Sequence, residues 1–458
     1  MEVEAWLVRA AAARPEHIAL MTPGGDWSYA RLHEAARFGA GQLAARGATA
    51  GSRVAIALPA GLDFAQALHA CLLLGTIAVP VDLRLAPGER AGIAAGADVL
   101  LDTPLGEGPA PADVPIGAVH ELDAIAVVIH TSGTTSSPRP VELSYGNLLW
   151  SALGSAVALG LDPQERWLCA LPLSHVGGLS ILVRSAIYAT TAIVHERFEE
   201  DRVLHALREQ RVTLVSLVAT TLARLLDAGL ECPAALRCAL TGGGPVPAAL
   251  VRRAHAAGVP VSLTYGLTES CSQATTTPVA EIADIAGLDG AEQTGALRGD
   301  VQPNAGPPLF CTRVRIAEDG EILLAGPTVA PAAAGAEGWL HTGDLGELDE
   351  RGRLLVTGRK ADTIVSGGEN VAPAEVEAVL EAHPQVLEAA VLGRSDPRWG
   401  EAVTAIVVAR AGAALEPEEL RAHCARVLAP FKVPKRVVLA AEPLPRTRSG
   451  KLLRRELR

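Results

Sequence analysis

From about residue 53 to residue 408, short runs of Val, Ile, Leu and Ala alternate with Ala/Leu/Arg-rich stretches. The apolar runs read as strands over 54–58, 76–81, 126–129, 192–195, 214–218, 238–240 and 259–263. A strand that is apolar on both faces must be covered on both faces. The pattern therefore predicts parallel sheets with packed helices, an α/β architecture. One covering stretch, 203–210, places Val203, Leu204 and Leu207 on one side and its charges elsewhere, which is the helical period.

Past residue 340 the pattern changes. Residues 345–358 read as two short strands around a glycine turn, part of a small β-barrel-like region. A compact α+β segment follows, with a helix over 374–382, strands over 386–392 and 403–409, and a helix over 417–427. The expected boundary lies at 357–362, giving a large domain over 1–358 and a small one over 359–458. Gly/Ala/Pro-rich stretches at 104–118 and 325–338 read as loops.

A chain of 458 residues, 49% hydrophobic and 20% charged, has ample material for a core. Its net charge of −11 counts against nonspecific nucleic-acid binding. Seven cysteines with no CxxC pair fit reduced, mostly buried thiols better than disulfides or a zinc site. The N-terminus lacks the regions of a signal peptide. The apolar stretch 64–81 contains Gln66, His69, Gly75 and Pro80, so it reads as a buried helix followed by a strand. A cytoplasmic protein without membrane insertion is expected, with a homodimer left open.

Polar motifs punctuate the strand ends. The run 125–130 leads into Thr131, Ser132, Gly133, Thr134, Thr135, Ser136, Ser137 and Pro138, where backbone N–H groups and hydroxyls can wrap a phosphate. The competing reading is a Ser/Thr-rich surface loop. It is not a Walker P-loop, because no Gly-Lys-Ser/Thr follows Gly133 at the required spacing. Gly242, Gly243, Gly244 and Pro245 would let a flat ring lie on bare backbone, or simply make a tight turn. Tyr265, Gly266, Thr268 and Glu269 bring an aromatic, a hydroxyl and a carboxylate to one strand exit, suited to a base, a phosphate and Mg²⁺. Asp344 suits ribose hydroxyls, although an Asp after Gly is also a common turn residue. Residues 432–458 carry nine basic and two acidic side chains, a solvated tail or a segment brought against an anionic ligand.

In this order the motifs resemble the adenylate-forming superfamily of acyl-CoA synthetases, adenylation domains and luciferases, from about Trp27 to Leu453. The segment Ala78-Val79-Pro80-Val81-Asp82-Leu83-Arg84-Leu85 belongs to the resemblance. Within the superfamily, 171–182, 240–247, 265–273, 366–370 and 445–454 are similar to the o-succinylbenzoate–CoA ligases of menaquinone biosynthesis.

The resemblance implies ATP-dependent, AMP-forming ligation of a carboxylic acid to coenzyme A through an acyl-adenylate, with Mg²⁺. It implies that Thr131, Ser132, Gly133, Thr134 and Thr135 hold the β- and γ-phosphates, and that Gly242, Gly243, Gly244, Pro245, Tyr265 and Gly266 frame adenine. Thr268 would touch the α-phosphate, Glu269 would bind the metal, and Asp344 and Arg359 would take the ribose. Lys451 would bridge the acid and the α-phosphate. His175, Ser270, Ser272 and Gln273 would line the acyl pocket; a lone His among apolar residues is otherwise more often a core group. Gly367, Gly368 and Glu369 would border the coenzyme A channel, and the small domain would be mobile about a hinge just after Arg359, where the usual Asp or Lys two residues on is Ala361.

One departure stands out. Where the family reads Gly-Lys-Pro-Lys-Gly after Thr-Thr, this chain reads Ser136-Ser137-Pro138-Arg139-Pro140, keeping one fixed cation and losing both glycines. Weakened phosphate grip is expected. The rivals are a CoA ligase for another aryl or fatty acid and a non-catalytic nucleotide-binding relative.

Overall fold

The computed structural model describes residues 1–109, 116–131, 139–282, 303–446 and 452–457. Two large sheets form the body of the chain. One has five strands in the order Val99–Leu101, Arg53–Ile56, Ile77–Pro80, Ile125–Thr131 and Arg139–Ser144. The other has eight, in the order Thr275–Thr276, Val261–Tyr265, Cys238–Thr241, Leu214–Leu217, Arg166–Cys169, Thr191–Val194, Ile18–Thr22 and Gly25–Ser28. The seven strands expected from the apolar runs are all present, shifted by at most a few residues.

Their pairing is parallel inside each sheet, as expected. The edges differ: Arg139–Ser144, Thr275–Thr276 and Gly25–Ser28 all pair antiparallel. Each joins its neighbour through a short connection, and an antiparallel edge needs no crossover helix. Such strands carry mixed polar residues and lack the continuous apolar signal.

Buried helices cover the sheets. Leu62–Leu74 is enclosed from Phe64 to Leu74 and ends at Gly75, whose φ of +73° supplies the left-handed cap. This explains why 64–81 is so apolar; among the described residues no helix is long and apolar enough to cross a membrane. Helix Tyr145–Leu159 begins at a capping box, in which Asn147 N–H donates to Ser144 Oγ (3.1 Å) and Ser144 N–H donates to Asn147 Oδ1 (2.9 Å). The cysteines are unpaired, and Cys71, Cys169, Cys238, Cys271 and Cys424 are buried. Burial pushes the thiols of Cys71, Cys169, Cys238 and Cys271 up to about 12, which keeps them inert.

The barrel-like region is a four-stranded antiparallel sheet of Arg313–Ile316, Glu321–Ala325, Leu340–Leu348 and Leu354–Arg359, bulged near Leu345. Directly after Arg359 the chain enters the C-terminal unit. There the long hairpin Val386–Asp396/Gly400–Ala409 is flanked by Ile364–Ser366, Glu369–Val371 and Arg436–Ala440. Helices Pro373–Glu381 and Pro417–Ala425 close a separate core around Val376, Leu380, Val391, Val403, Val407 and Leu420.

Candidate active site

The motifs of the large domain, where described, leave a strand at its C-terminal end or sit on the antiparallel sheet beside those ends. Ligands of open α/β sheets bind in the crevice outside the carboxyl ends of the strands. From the five-stranded sheet come Asp82 and Arg84, just past Ile77–Pro80, and Thr131, last residue of Ile125–Thr131. Thr131 pairs antiparallel with Arg139, on the neighbouring strand. Ser132, Gly133, Thr134 and Thr135 lie outside the described residues, as does Lys451.

From the eight-stranded sheet comes His175, which precedes helix Val176–Tyr188. Its Nε2 lies 3.1 Å from Arg84 Nη2 and 3.8 Å from Asp82 Oδ2. Arg84 in turn donates from Nε (2.8 Å) and Nη2 (2.7 Å) to the two Asp82 oxygens. Burial alone would raise the Asp82 carboxyl, but the hydrogen bonds and charge of Arg84 outweigh it and hold the group below its usual value. This Asp–Arg–His chain ties the exits of the two sheets together. Asp82 and Arg84 were visible in sequence only as part of a resemblance; their meeting with His175 spans more than ninety residues.

Two glycines at the next exits have steric duties. A Cβ on Gly242 would meet Thr264 Cγ2 at 2.6 Å, and one on Gly266 would meet the Ser272 carbonyl oxygen at 1.6 Å. Gly243 has φ +78°, whereas a Cβ on Gly244 would meet nothing within 4 Å among the described residues. The glycine turn is thus partly a packing device, and Gly244 is the member that leaves open space in front of the backbone.

The turn after Tyr265 is tightly wound. Thr268–Ser270 forms a short 3-10 helix, then Cys271 and Ser272 take φ of +52° and +90°. Two consecutive non-glycine residues there carry backbone strain, which concentrates at functional sites. Ser270 is fully buried and its Oγ accepts from Leu267 N–H (2.9 Å), so its hydroxyl shapes the turn and does not open onto a cavity. Gln273, 1% exposed, donates from Nε2 to Thr276 Oγ1 (2.8 Å), while its Oε1 is buried without a partner among the described residues. Ser272 and Glu269 are half-buried. Among the described residues no cluster of three or more metal-ligating side chains occurs. A lone carboxylate such as Glu269 suits Mg²⁺, which binds through one or two carboxylates together with substrate phosphates and water.

The best-defined constellation joins the strand exit to the antiparallel sheet. Tyr265 Oη donates to Asp344 Oδ2 (2.9 Å), and Arg359 Nε lies 2.7 Å from Asp344 Oδ1. Burial, followed by the charge of Asp344, holds the Tyr265 hydroxyl well above the usual phenol value, so it stays a donor. Asp344 is 5% exposed, and its backbone N–H donates to Thr342 Oγ1 (3.0 Å). It is therefore an oriented carboxylate, not a loose turn residue. Three residues expected to contact one nucleoside meet here.

The AMP-binding enzyme family model matches residues 7–104 and 96–332, and its C-terminal domain model matches 375–451. The chain belongs to the AMP-binding enzymes. Among relatives of this AMP-binding enzyme, the 2-succinylbenzoate–CoA ligase of Bacillus subtilis is 38% identical over 99% of this chain and 97% of its own length. The solved o-succinylbenzoate CoA synthetase of B. subtilis, in complex with the acyl-adenylate intermediate OSB-AMP, superposes with a TM-score of 0.89 at 37% identity. That match covers 100% of this chain and 98% of the other. The same synthetase with ATP and magnesium ion gives 0.88 at 36% identity, covering 100% of both chains.

Gly367 and Gly368 occupy a two-residue turn between Ile364–Ser366 and Glu369–Val371, with φ of +63° and +87°. Both values positive is the signature of a type I′ hairpin, so glycine is required by the turn alone. Glu369 is exposed on the next strand.

Proposed function

We propose that this AMP-binding enzyme is an ATP-dependent, AMP-forming o-succinylbenzoate–CoA ligase. The observation that carries the substrate is the 38% identity to a 2-succinylbenzoate–CoA ligase across 99% of the chain, both domains included. In the first half-reaction a carboxylate oxygen of the acid attacks the α-phosphorus of ATP and the bond to pyrophosphate breaks. In the second, the sulfur of coenzyme A attacks the acyl carbon of the adenylate. AMP leaves with the bonding electrons, and the thiol proton passes to solvent.

Such transfers depend on positioning and charge stabilisation more than on a covalent enzyme group. We read Asp344, held by Tyr265 and Arg359, as the acceptor for ribose hydroxyls. Gly244 and Tyr265 frame adenine, Gly242 and Gly266 let the flanking turns close, and Thr268 faces the α-phosphate. Glu269 would hold Mg²⁺, which supplies charge neutralisation on the phosphates when bound. The hydroxyl loop from Thr131 to Thr135 would hold the β- and γ-phosphates, and Lys451 the α-phosphate and acid. His175, steadied by Arg84, belongs to the acyl side with Ser272 and Gln273; the buried Ser270 supports the wall behind them. Gly367, Gly368 and Glu369 border the coenzyme A approach, and the small domain begins at 359.

The test is thioester formation from coenzyme A and ATP with o-succinylbenzoate, benzoate and octanoate side by side. The reading expects kcat/KM for o-succinylbenzoate at least a hundredfold above the others. Equal or better use of benzoate or octanoate transfers the protein to another acid, and absence of AMP formation with all three removes the catalytic reading.

A further inference from the structure

The two ends of segment 447–451 are fastened to the small domain in the same way. Arg446 bridges Leu452 antiparallel, and Leu453 N–H donates to Pro445 O (2.8 Å), so the residues on either side of the segment are held together. Leu444, Leu452 and Leu457 pack on Ala390, Leu392, Ile406 and Val408, the face of the long hairpin opposite its helices. That apolar contact holds these residues down without fixing where along the sheet they sit, because dispersion and burial have little directionality.

Two carboxylates supply the direction. Glu388, 14% exposed at its side chain, accepts Leu444 N–H on Oε1 (2.8 Å) and Arg446 Nη2 on Oε2 (2.7 Å). Glu377, 13% exposed, accepts Arg454 Nη2 on both oxygens (2.6 Å each) and Val391 N–H on Oε1 (2.7 Å). Arg454 Nη1 also lies 3.7 Å from Asp362, the last residue of the turn that follows Arg359. A guanidinium gripped by a largely buried carboxylate resists sliding as well as lifting. Replacing such pairs by apolar contact is often neutral or favourable for stability, so their presence here suits geometry better than strength.

We propose that Glu388 and Glu377 are positioning residues for adenylation: through Arg446 and Arg454 they fix both ends of the segment that carries Lys451. The proposal rests on Lys451 acting at the α-phosphate. Neither glutamate touches substrate, so each acts through its arginine, and the link to Asp362 couples the segment to the chain at the domain junction.

The experiment measures the two half-reactions separately in the full-length protein: pyrophosphate release with o-succinylbenzoate and ATP, and thioester formation from pre-made acyl-adenylate and coenzyme A. Glu388→Gln and Glu377→Gln should each lower kcat for adenylation tenfold or more. KM for ATP should stay within twofold, and thioester formation within threefold. Glu388→Asp, which keeps the charge at shorter reach, should fall between wild type and Glu388→Gln. Wild-type adenylation in both Gln variants, or equal loss in both half-reactions, overturns the proposal. If Glu377→Gln does not fold, Arg454→Lys keeps the charge, loses the paired hydrogen bond and should give the same split. Lys451→Ala run alongside separates the premises. If it adenylates normally, the assignment of Lys451 is wrong; if it is inactive while the Gln variants are normal, only the clamp is wrong.

Discussion

Replacing Asp344 by Asn is the sharpest probe of the nucleotide site, because one carboxylate joins three elements. The change keeps shape and removes charge from a group 5% exposed, leaving Arg359, whose side chain is half-exposed, to be solvated by water. Losing one partner of a fully buried pair costs about 3–5 kcal/mol. With Arg359 half in solvent, about 1–2 kcal/mol of stability is the expected loss, a small downward shift in Tm. The effect on function should be larger. A hydrogen bond to a charged acceptor contributes about 1.5–3 kcal/mol, so each ribose hydroxyl lost corresponds to roughly 10–150-fold in kcat/KM for ATP. The decisive assay compares ATP with 2′-deoxyATP and 3′-deoxyATP. Wild type should discriminate against at least one deoxynucleotide, and Asp344→Asn should lose most of that discrimination while using the deoxynucleotide about as well as wild type does. If the variant discriminates as strongly as wild type, Asp344 does not hold the ribose, whatever happens to its overall rate.

Three further outcomes follow from packing and charge. Gly266→Ala drives a Cβ into the Ser272 carbonyl and should destabilise the protein by on the order of 4 kcal/mol, read by chemical unfolding. Gly244→Ala meets nothing within 4 Å among the described residues and should leave stability nearly unchanged while raising KM for ATP; an unchanged KM removes Gly244 from the adenine site. Glu381 is pushed up to about 7 by burial and then by the neighbouring Glu377 charge, so the folded protein keeps its proton where the unfolded chain has given it up. Stability should therefore fall as pH rises from the ordinary value of 4.5 to about 7, by roughly 3 kcal/mol at most. Glu381→Gln should flatten that slope, and an unchanged slope in unfolding free energy contradicts the assignment.

The sequence alone determined the layered α/β body and the small C-terminal domain, and it marked the strand-end motifs proposed here for the nucleotide. Those features are encoded locally: continuous apolar runs demand two-sided burial, and glycine clusters mark strand exits wherever they fall. It could not show the antiparallel edges, since short mixed strands such as Arg139–Ser144 carry no periodic signal. Nor could it show that Gly242 and Gly266 are needed by neighbouring chain, or that Ser270 is spent on capping its own turn. Only the tertiary structure joined Asp82 and Arg84 to His175, Tyr265 to Asp344, and Glu377 and Glu388 to the arginines of the last segment. Such meetings depend on how sheets and domains pack across long sequence separations, and no local pattern of residues records the distance between two side chains.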